Sequence, residues 1–191
     1  MSDEGRNTMS IKVSMALFMA SLVLGAALAD ASSFKSLGQS DNLQPYWSVY
    51  FSPYGGCAGA IIGAIDGAKS TVLVQAYSFT SRTIAQALIA AHKRGVAVEI
   101  IVDTETWKDP HSEAKVIARA GIPISTDAAH TVAHNKVMVI DNQTVITGSF
   151  NFTTAAEFHN AENLLIIHDP ALAARYTDNW RKHRQHSEVY K

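Results

Sequence analysis

Cysteine is almost missing: Cys57 is the single thiol in 191 residues. One thiol makes neither an intrachain disulfide nor a zinc finger, so the fold stands on packing alone. Net charge is almost missing too, at -1 from 16 Lys+Arg and 17 Asp+Glu. Such a balance gives no whole-molecule basic field, and so neither indicates nor excludes a nucleic-acid partner. Internal repeats and low-complexity tracts do not occur. Charged residues are only 17% against 47% hydrophobic, which excludes wholesale disorder. The length favours one domain with a buried core and leaves no room for two independent catalytic lobes.

Val13 to Ala29 (VSMALFMASLVLGAALA) is seventeen residues without a charge, directly behind Lys12. Ala27-Leu28-Ala29 supplies the small residues of a cleavage site. Residues 1–29 therefore read as a signal peptide and the mature protein as periplasmic or secreted. Asp3 and Glu4 offset Arg6, and a start at Met9 would leave the cleaner MSIK ahead of the apolar run. The competing reading is an uncleaved anchor, since the run approaches the ~20 residues of a bilayer span. Ser14, Ser21 and Gly25 weaken that span. Residues 30–45 are polar and aperiodic and read as a linker, which leaves 46–191 as the folded domain.

Within that domain the pattern alternates. Trp47–Ser52 reads as a strand stopped by Pro53 and Gly55-Gly56. Cys57–Lys69 places Ile61, Ile62 and Ile65 on one helical face. Thr71–Phe79 is β-branched and aromatic, as a buried strand should be. Ser81 caps a helix through Lys93, closed by Arg94-Gly95. Val96–Val102 is a central strand, Pro110–Ala120 a helix, and Ile122–Ser125 a short strand. Lys136–Ile140 and Thr144–Thr147 flank a hairpin-like turn at Asp141-Asn142-Gln143. Asn163–Ile167 and a helix from Pro170 to about Arg184 end the chain. Strands alternating with helices predict an α/β layer fold, with the late hairpin adding antiparallel pairing.

The chemistry lies in His134–Glu162, HNKVMVIDNQTVITGSFNFTTAAEFHNAE. His134 and Lys136 are two apart, so an extended backbone points both to one face. Ser149 and Asn151 do the same at the end of the adjoining strand. Asp141 has the opposite parity and sits at the turn, outside that cluster. An imidazole, an ammonium, a hydroxyl and an amide converge, with no acidic pair suited to a metal. A histidine nucleophile among donors suits attack on a phosphodiester, whose non-bridging oxygens Lys and Asn would neutralise.

The run H-x-K-x4-D, followed by x6-G-S-x-N, resembles the HKD motif of the phospholipase D superfamily. It is most similar to the short, single-motif, exported bacterial endonucleases of that group. The resemblance extends from about Tyr46 to Trp180 and includes FSPYGG, AYSFTS and GSFNFT. It implies a phospholipase D-like fold, an α/β architecture with a mixed, mainly parallel sheet flanked by helices. It also implies a metal-independent phosphodiesterase, with no cofactor, working through a covalent phosphohistidine. Members use two HKD motifs per active site, and this sequence holds one. A homodimer with two His134 facing across a two-fold axis would supply the second. By the same resemblance a Glu eleven residues beyond the motif's Asn orients the histidine, which lands on Glu162. Glu157 is the competing carboxylate, within a helical turn at Thr153–Phe158. Asp141 reads as structural.

Other features were weighed against plainer explanations. His130 and His134, four apart, would suggest zinc on a helix, but the stretch reads as extended and no metal site is expected. Ser149 is either a phosphate donor or a strand-end hydrogen bond. Trp180–His186 (WRKHRQH) reads as a solvated helix end rather than a nucleic-acid contact, Trp107-Lys108 as a solvated loop rather than a ligand position at a strand end, and Cys57 as packing or an intersubunit thiol. Three functions follow. One is a non-specific endonuclease acting on DNA, with RNA as a further substrate. Another is a lipid phosphodiesterase at a membrane. The last is a binder that kept the fold, which the intact His134/Lys136/Asn151 set argues against. Nucleic acid as substrate, a homodimer, and no stable membrane association once the signal peptide is cleaved are the expected partnerships.

Overall fold

The computed structural model describes residues 46–189. The signal peptide and the linker expected in 1–45 lie outside the described residues.

Eight strands form a single sheet. They are β1 (Tyr46–Ser52), β2 (Thr71–Ala76), β3 (Ala97–Asp103), β4 (Ile124–Asp127), β5 (Lys136–Ile140), β6 (Thr144–Gly148), β7 (Glu162–His168) and β8 (Glu188–Val189). Their order across the sheet is β1-β7-β6-β5-β2-β3-β4-β8. The sheet is mixed, but it is not mainly parallel. Only β2–β3 and β3–β4 run parallel, while β1–β7, β7–β6, β6–β5, β5–β2 and β4–β8 run antiparallel. For β5–β6 the cause is connection length. A parallel crossover needs a dozen or more residues, and the β5–β6 turn is too short to provide them. There Asp141 and Asn142 both take positive φ, 53° and 54°, and Gln143 N–H donates to the Ile140 carbonyl at 3.0 Å. Positive φ at both central residues matches the right-handed strand twist, hence a tight hairpin.

Helices cover the sheet: α1 (Cys57–Gly67), α2 (Arg82–Lys93), α3 (Thr104–Lys108), α4 (Ala114–Arg119), α5 (Thr154–Phe158) and α6 (Pro170–His186). The α2 segment shows why a local pattern suffices. Ser81 Oγ accepts from Ile84 N–H, the Ile84/Ala85/Leu88/Ala91 stripe is buried, and Gly95 closes the end at φ 93°. The expected helix Pro110–Ala120 is shorter, starting at Ala114. Trp107-Lys108 lies in the one-turn α3, capped by Asp103 Oδ1 accepting from Glu105 N–H at 2.8 Å. Asx capping is a two-residue signal, easily missed where no apolar stripe accompanies it.

The main core packs α1 and α2 against one sheet face through Ile61, Ile65, Leu88, Val74, Met138 and Ile146. On the other face α6 covers Val137, Val139 and Val145 through Ala173. Cys57 is completely buried in the main core, and burial first, then Glu157, pushes its thiol above the ordinary value. It is packing and is inaccessible to a second chain.

Candidate active site

The functional side chains gather at one end of the sheet, because antiparallel neighbours bring the end of one strand beside the start of the next. Ala76, ending β2, pairs with Lys136, starting β5. Ser52, ending β1, pairs with Glu162, starting β7. The exit of β6 enters the same region: Phe152 bridges to Phe79, and its carbonyl accepts from Thr80 and Ser81 N–H.

His134 closes the β4–β5 connection, and three contacts set its position. Asp103 Oδ2, buried, accepts from Ala133 N–H at 2.8 Å. The Asn135 carbonyl accepts from Tyr77 N–H at 2.8 Å. The exposed His134 ring packs on Tyr77 with centroids 4.4 Å apart. Tyr77 is itself held by Thr106, whose hydroxyl donates to its carbonyl. Lys136 is 7% exposed, and its Nζ donates to the His134 carbonyl at 3.1 Å while standing 4.7 Å from the Tyr77 ring centre. Burial lowers the lysine from its ordinary pKa, while the charge of Glu162 acts in the opposite sense. Tyr77 thus touches both expected residues. It was not singled out in the sequence, although AYSF at a strand end placed it there.

The β6 exit needs Gly148. Its φ is 149°, and a Cβ would stand 2.3 Å from the Asn163 carbonyl oxygen, so this close approach admits no side chain. Ser149 Oγ accepts from Asn163 N–H at 3.1 Å and from its Nδ2 at 3.3 Å, leaving the hydroxyl proton uncommitted. Asn151 Oδ1 is buried without a hydrogen-bond partner. Glu162 accepts from Asn160 Nδ2 at 3.0 Å and makes no hydrogen bond to the His134 ring.

An exposed imidazole beside a partly desolvated ammonium at a strand end is a constellation for transferring a group to nitrogen. Residues 61–184 match the family described as cardiolipin synthase, PLD-like domain. The chain belongs to the phospholipase D superfamily. A phospholipase D of Rickettsia felis is 41% identical over 152 residues, which span 80% of this chain and 76% of that protein. Nuc from Salmonella typhimurium, a phospholipase D family member, superposes with a TM-score of 0.74 at 41% identity, covering 78% of this chain and 99% of Nuc. NucT from Helicobacter pylori shares the fold, with a TM-score of 0.71 at 23% identity, over 77% of this chain and all of NucT. As a superfamily member of the Nuc type with one HKD motif, the protein is a phosphodiesterase hydrolase.

Within this phospholipase D-like domain two motif-region carboxylates stand apart from the histidine. Asp141 lies at the far end of β5, about 17 Å along the strand from Lys136 at ~3.4 Å per residue. Its Oδ1 accepts from Ser70 N–H, Ser70 Oγ and Thr71 N–H at 2.7–2.9 Å, and its Oδ2 from Lys69 N–H at 2.8 Å. Burial would raise this carboxyl, but the N–H donors of Thr71, Lys69 and Ser70 hold it below the usual range. Glu157, buried, accepts from Gly56 N–H at 3.1 Å and Ala58 N–H at 2.8 Å. It satisfies donors at the start of α1 that Gly56, without a side chain, cannot. A polar groove of about 240 Å³ opens beside Tyr77, lined also by Ser78, Glu105, Thr106 and Asp109.

Proposed function

We propose that this protein is a metal-independent endonuclease acting on DNA, and on RNA, as a homodimer whose two His134 residues share one active site. The observation that carries the reading is His134: exposed, anchored through its backbone, and lying beside the buried ammonium of Lys136. One His134 attacks phosphorus, forming a P–N bond as the P–O bond to the leaving group breaks. The second copy's His134 protonates that oxygen, then takes a proton from the water that cleaves the P–N bond. Lys136 offsets the charge of the non-bridging oxygens from a poorly solvated position, where its field is strong. Asn151 serves the same oxygens. A half turn of its side-chain amide puts an N–H donor where the unpaired Oδ1 stands. Ser149 offers its free proton. Glu162 orients a histidine in the assembled site.

The dimer reading rests on the missing second motif and on an apolar strip along edge strand β1. Trp47 and Phe51 are 61% and 62% exposed and Val49 is 39% exposed, all on one side of the strand. Phe51 pairs with Asn163, next to Glu162, so the strip runs up to the site. A contiguous apolar strip on a sheet edge calls for a partner. Sedimentation of the wild-type protein is expected to give a dimer, and Phe51→Glu a monomer with turnover reduced at least ~100-fold. A monomeric, fully active wild type would overturn this reading.

Substrate class has two readings. The names of the structural relatives, Nuc and NucT, point to nucleic acid, while the curated relatives are named phospholipase D. The groove beside Tyr77 is polar and so disfavours an acyl tail, but its two carboxylates, Glu105 and Asp109, repel phosphates, so it does not by itself select a nucleotide chain. The exposed aromatics on β1 favour a lipid surface instead, if they contact a bilayer. Parallel assays on plasmid DNA, structured RNA and phosphatidylcholine vesicles decide between them. Nicking of plasmid with no released choline is expected. Choline release without nicking would replace the nuclease reading with the lipid one. Export to the periplasm or beyond remains part of this proposal, resting on the Val13–Ala29 run and its cleavage site.

A further inference from the structure

A second group of chemically active side chains lies away from His134, where the end of β4, the β4–β5 connection and the end of α6 meet. Asp127, the last residue of β4, has a fully buried side chain. Its Oδ2 lies 2.8 Å from His183 Nδ1, 3.0 Å from His130 Nδ1 and 3.2 Å from His186 Nε2. The three rings surround it with centroids 5.0–5.3 Å apart. One ring nitrogen from each histidine and one carboxylate oxygen all lie within 4.8 Å of one another. As hydrogen bonding alone this is an awkward set. Three imidazole N–H groups must converge on one carboxylate: His183 and His186 both turn to Oδ2, His130 lies between Oδ2 and Oδ1 at 3.0 and 3.1 Å, and Oδ1 also takes Ala129 N–H at 3.1 Å.

We propose that Asp127, His130, His183 and His186 form a structural site for a divalent transition-metal ion of the zinc class, tying α6 to the segment that carries His134. Each of the four atoms then gives a lone pair to the cation, and no N–H has to share an acceptor. Zinc with ligands at ~2.0–2.1 Å holds them ~3.4 Å apart in a tetrahedron, a few tenths of an ångström beyond the present oxygen–nitrogen spacings of 2.8–3.2 Å and inside the 4.8 Å that spans the whole set. Three imidazole nitrogens and one oxygen select such an ion over magnesium or calcium, which require oxygen shells. Four protein ligands leave no open coordination position, so the role is structural. The ion enters from the solvent side, where His130 and His186 side chains are 47% and 37% exposed.

Sequence spacing supports the geometry. His183 and His186 are three apart and face the same side of α6. Asp127 and His130 are three apart in the chain after β4. The pair weighed from the sequence, His130 with His134, does not form: His130 turns to Asp127 and His134 to Tyr77. His130 stands four residues before His134, so a metal here clamps both the end of α6 and the β4–β5 connection. This site supplies no atom to the phosphodiester chemistry.

The test uses the full-length protein made without a histidine tag, stripped with EDTA and freed of chelator. Elemental analysis after incubation with Zn²⁺ and desalting is expected to give about one zinc per chain, with Mg²⁺ giving none. Calorimetric titration should give a Kd at or below the micromolar level, and saturation should raise the melting temperature by about 5 °C or more. His130→Ala and His186→Ala, both at exposed positions, should each weaken zinc at least ~10-fold, and the double variant should abolish it. Zinc absent from the wild type with an unchanged melt, or binding unaltered in the variants, would reduce the cluster to hydrogen bonding.

Discussion

Plasmid nicking by the wild-type protein is expected to persist in excess EDTA and to fall by about 10⁴-fold or more in His134→Ala. The magnitude follows from the two roles that one substitution removes. In the proposed dimer each chain contributes one imidazole, and the variant loses nucleophile and general acid together. Its fold should survive, since the ring is exposed and packs on Tyr77 at the surface, while the backbone hydrogen bonds of Ala133 and Asn135 remain. The pH–rate profile should be bell-shaped, because the pair works only with one ring neutral and the other protonated. Glu162→Gln should flatten or shift one limb, as expected of a group acting through the histidine. An unchanged profile would remove Glu162 from the mechanism. The EDTA experiment belongs well below the melting temperature of the metal-free protein, since stripping the proposed zinc acts on stability. Nicking that is lost there on chelation and returns with Mg²⁺, or that survives in His134→Ala, would exclude histidine-based, metal-free chemistry.

Asp141→Ala is expected to show the reverse pattern: large in stability, small in turnover per folded molecule. Removing the carboxylate leaves the N–H groups of Lys69, Ser70 and Thr71 without their acceptor. Charge-assisted bonds of this kind contribute ~1.5–3 kcal/mol each when isolated, less when shared, so a total loss of about 2–4 kcal/mol is expected. Alanine also strains the positive φ of 53°. For a domain of this size the melting temperature should drop by roughly 5–15 °C. Asp141→Asn tolerates the turn and keeps one acceptor, so it should lose about half as much. The pH dependence has a definite sign. The folded carboxyl is held below its unfolded value, so its contribution is complete above ~pH 4 and is lost as pH falls through the folded value. Urea midpoints of wild type and Asp141→Asn should therefore differ at pH 7 and converge in acid. Equal midpoints at pH 7 would show that the turn does not depend on this charge.

The contrast between these two variants reflects what a linear sequence can encode. Strand alternation depends on residues two apart, and so the shared side of His134 and Lys136, and the separation of Asp141 from them, could be read directly. Helix α2 was legible for the same reason, its cap, stripe and terminal glycine all lying within fifteen residues of one another. The one-turn α3 was not, having only an Asx cap. Strand direction was misjudged, because parallel or antiparallel pairing depends on the path between strands rather than on composition within them. Tyr77, which joins the His134 ring to the Lys136 ammonium, gains that place only when β2 and β5 pair. Glu157 caps a helix about a hundred residues earlier in the chain. Asp127 meets His183 across 56 positions. Local periodicity and a fixed motif therefore determined the family, the strand that starts at Lys136 directly after the histidine, and the turn beyond it. Only tertiary structure decided which distant polar groups share one point, because a buried carboxylate such as Asp127 or Glu157 takes the donors that folding brings beside it.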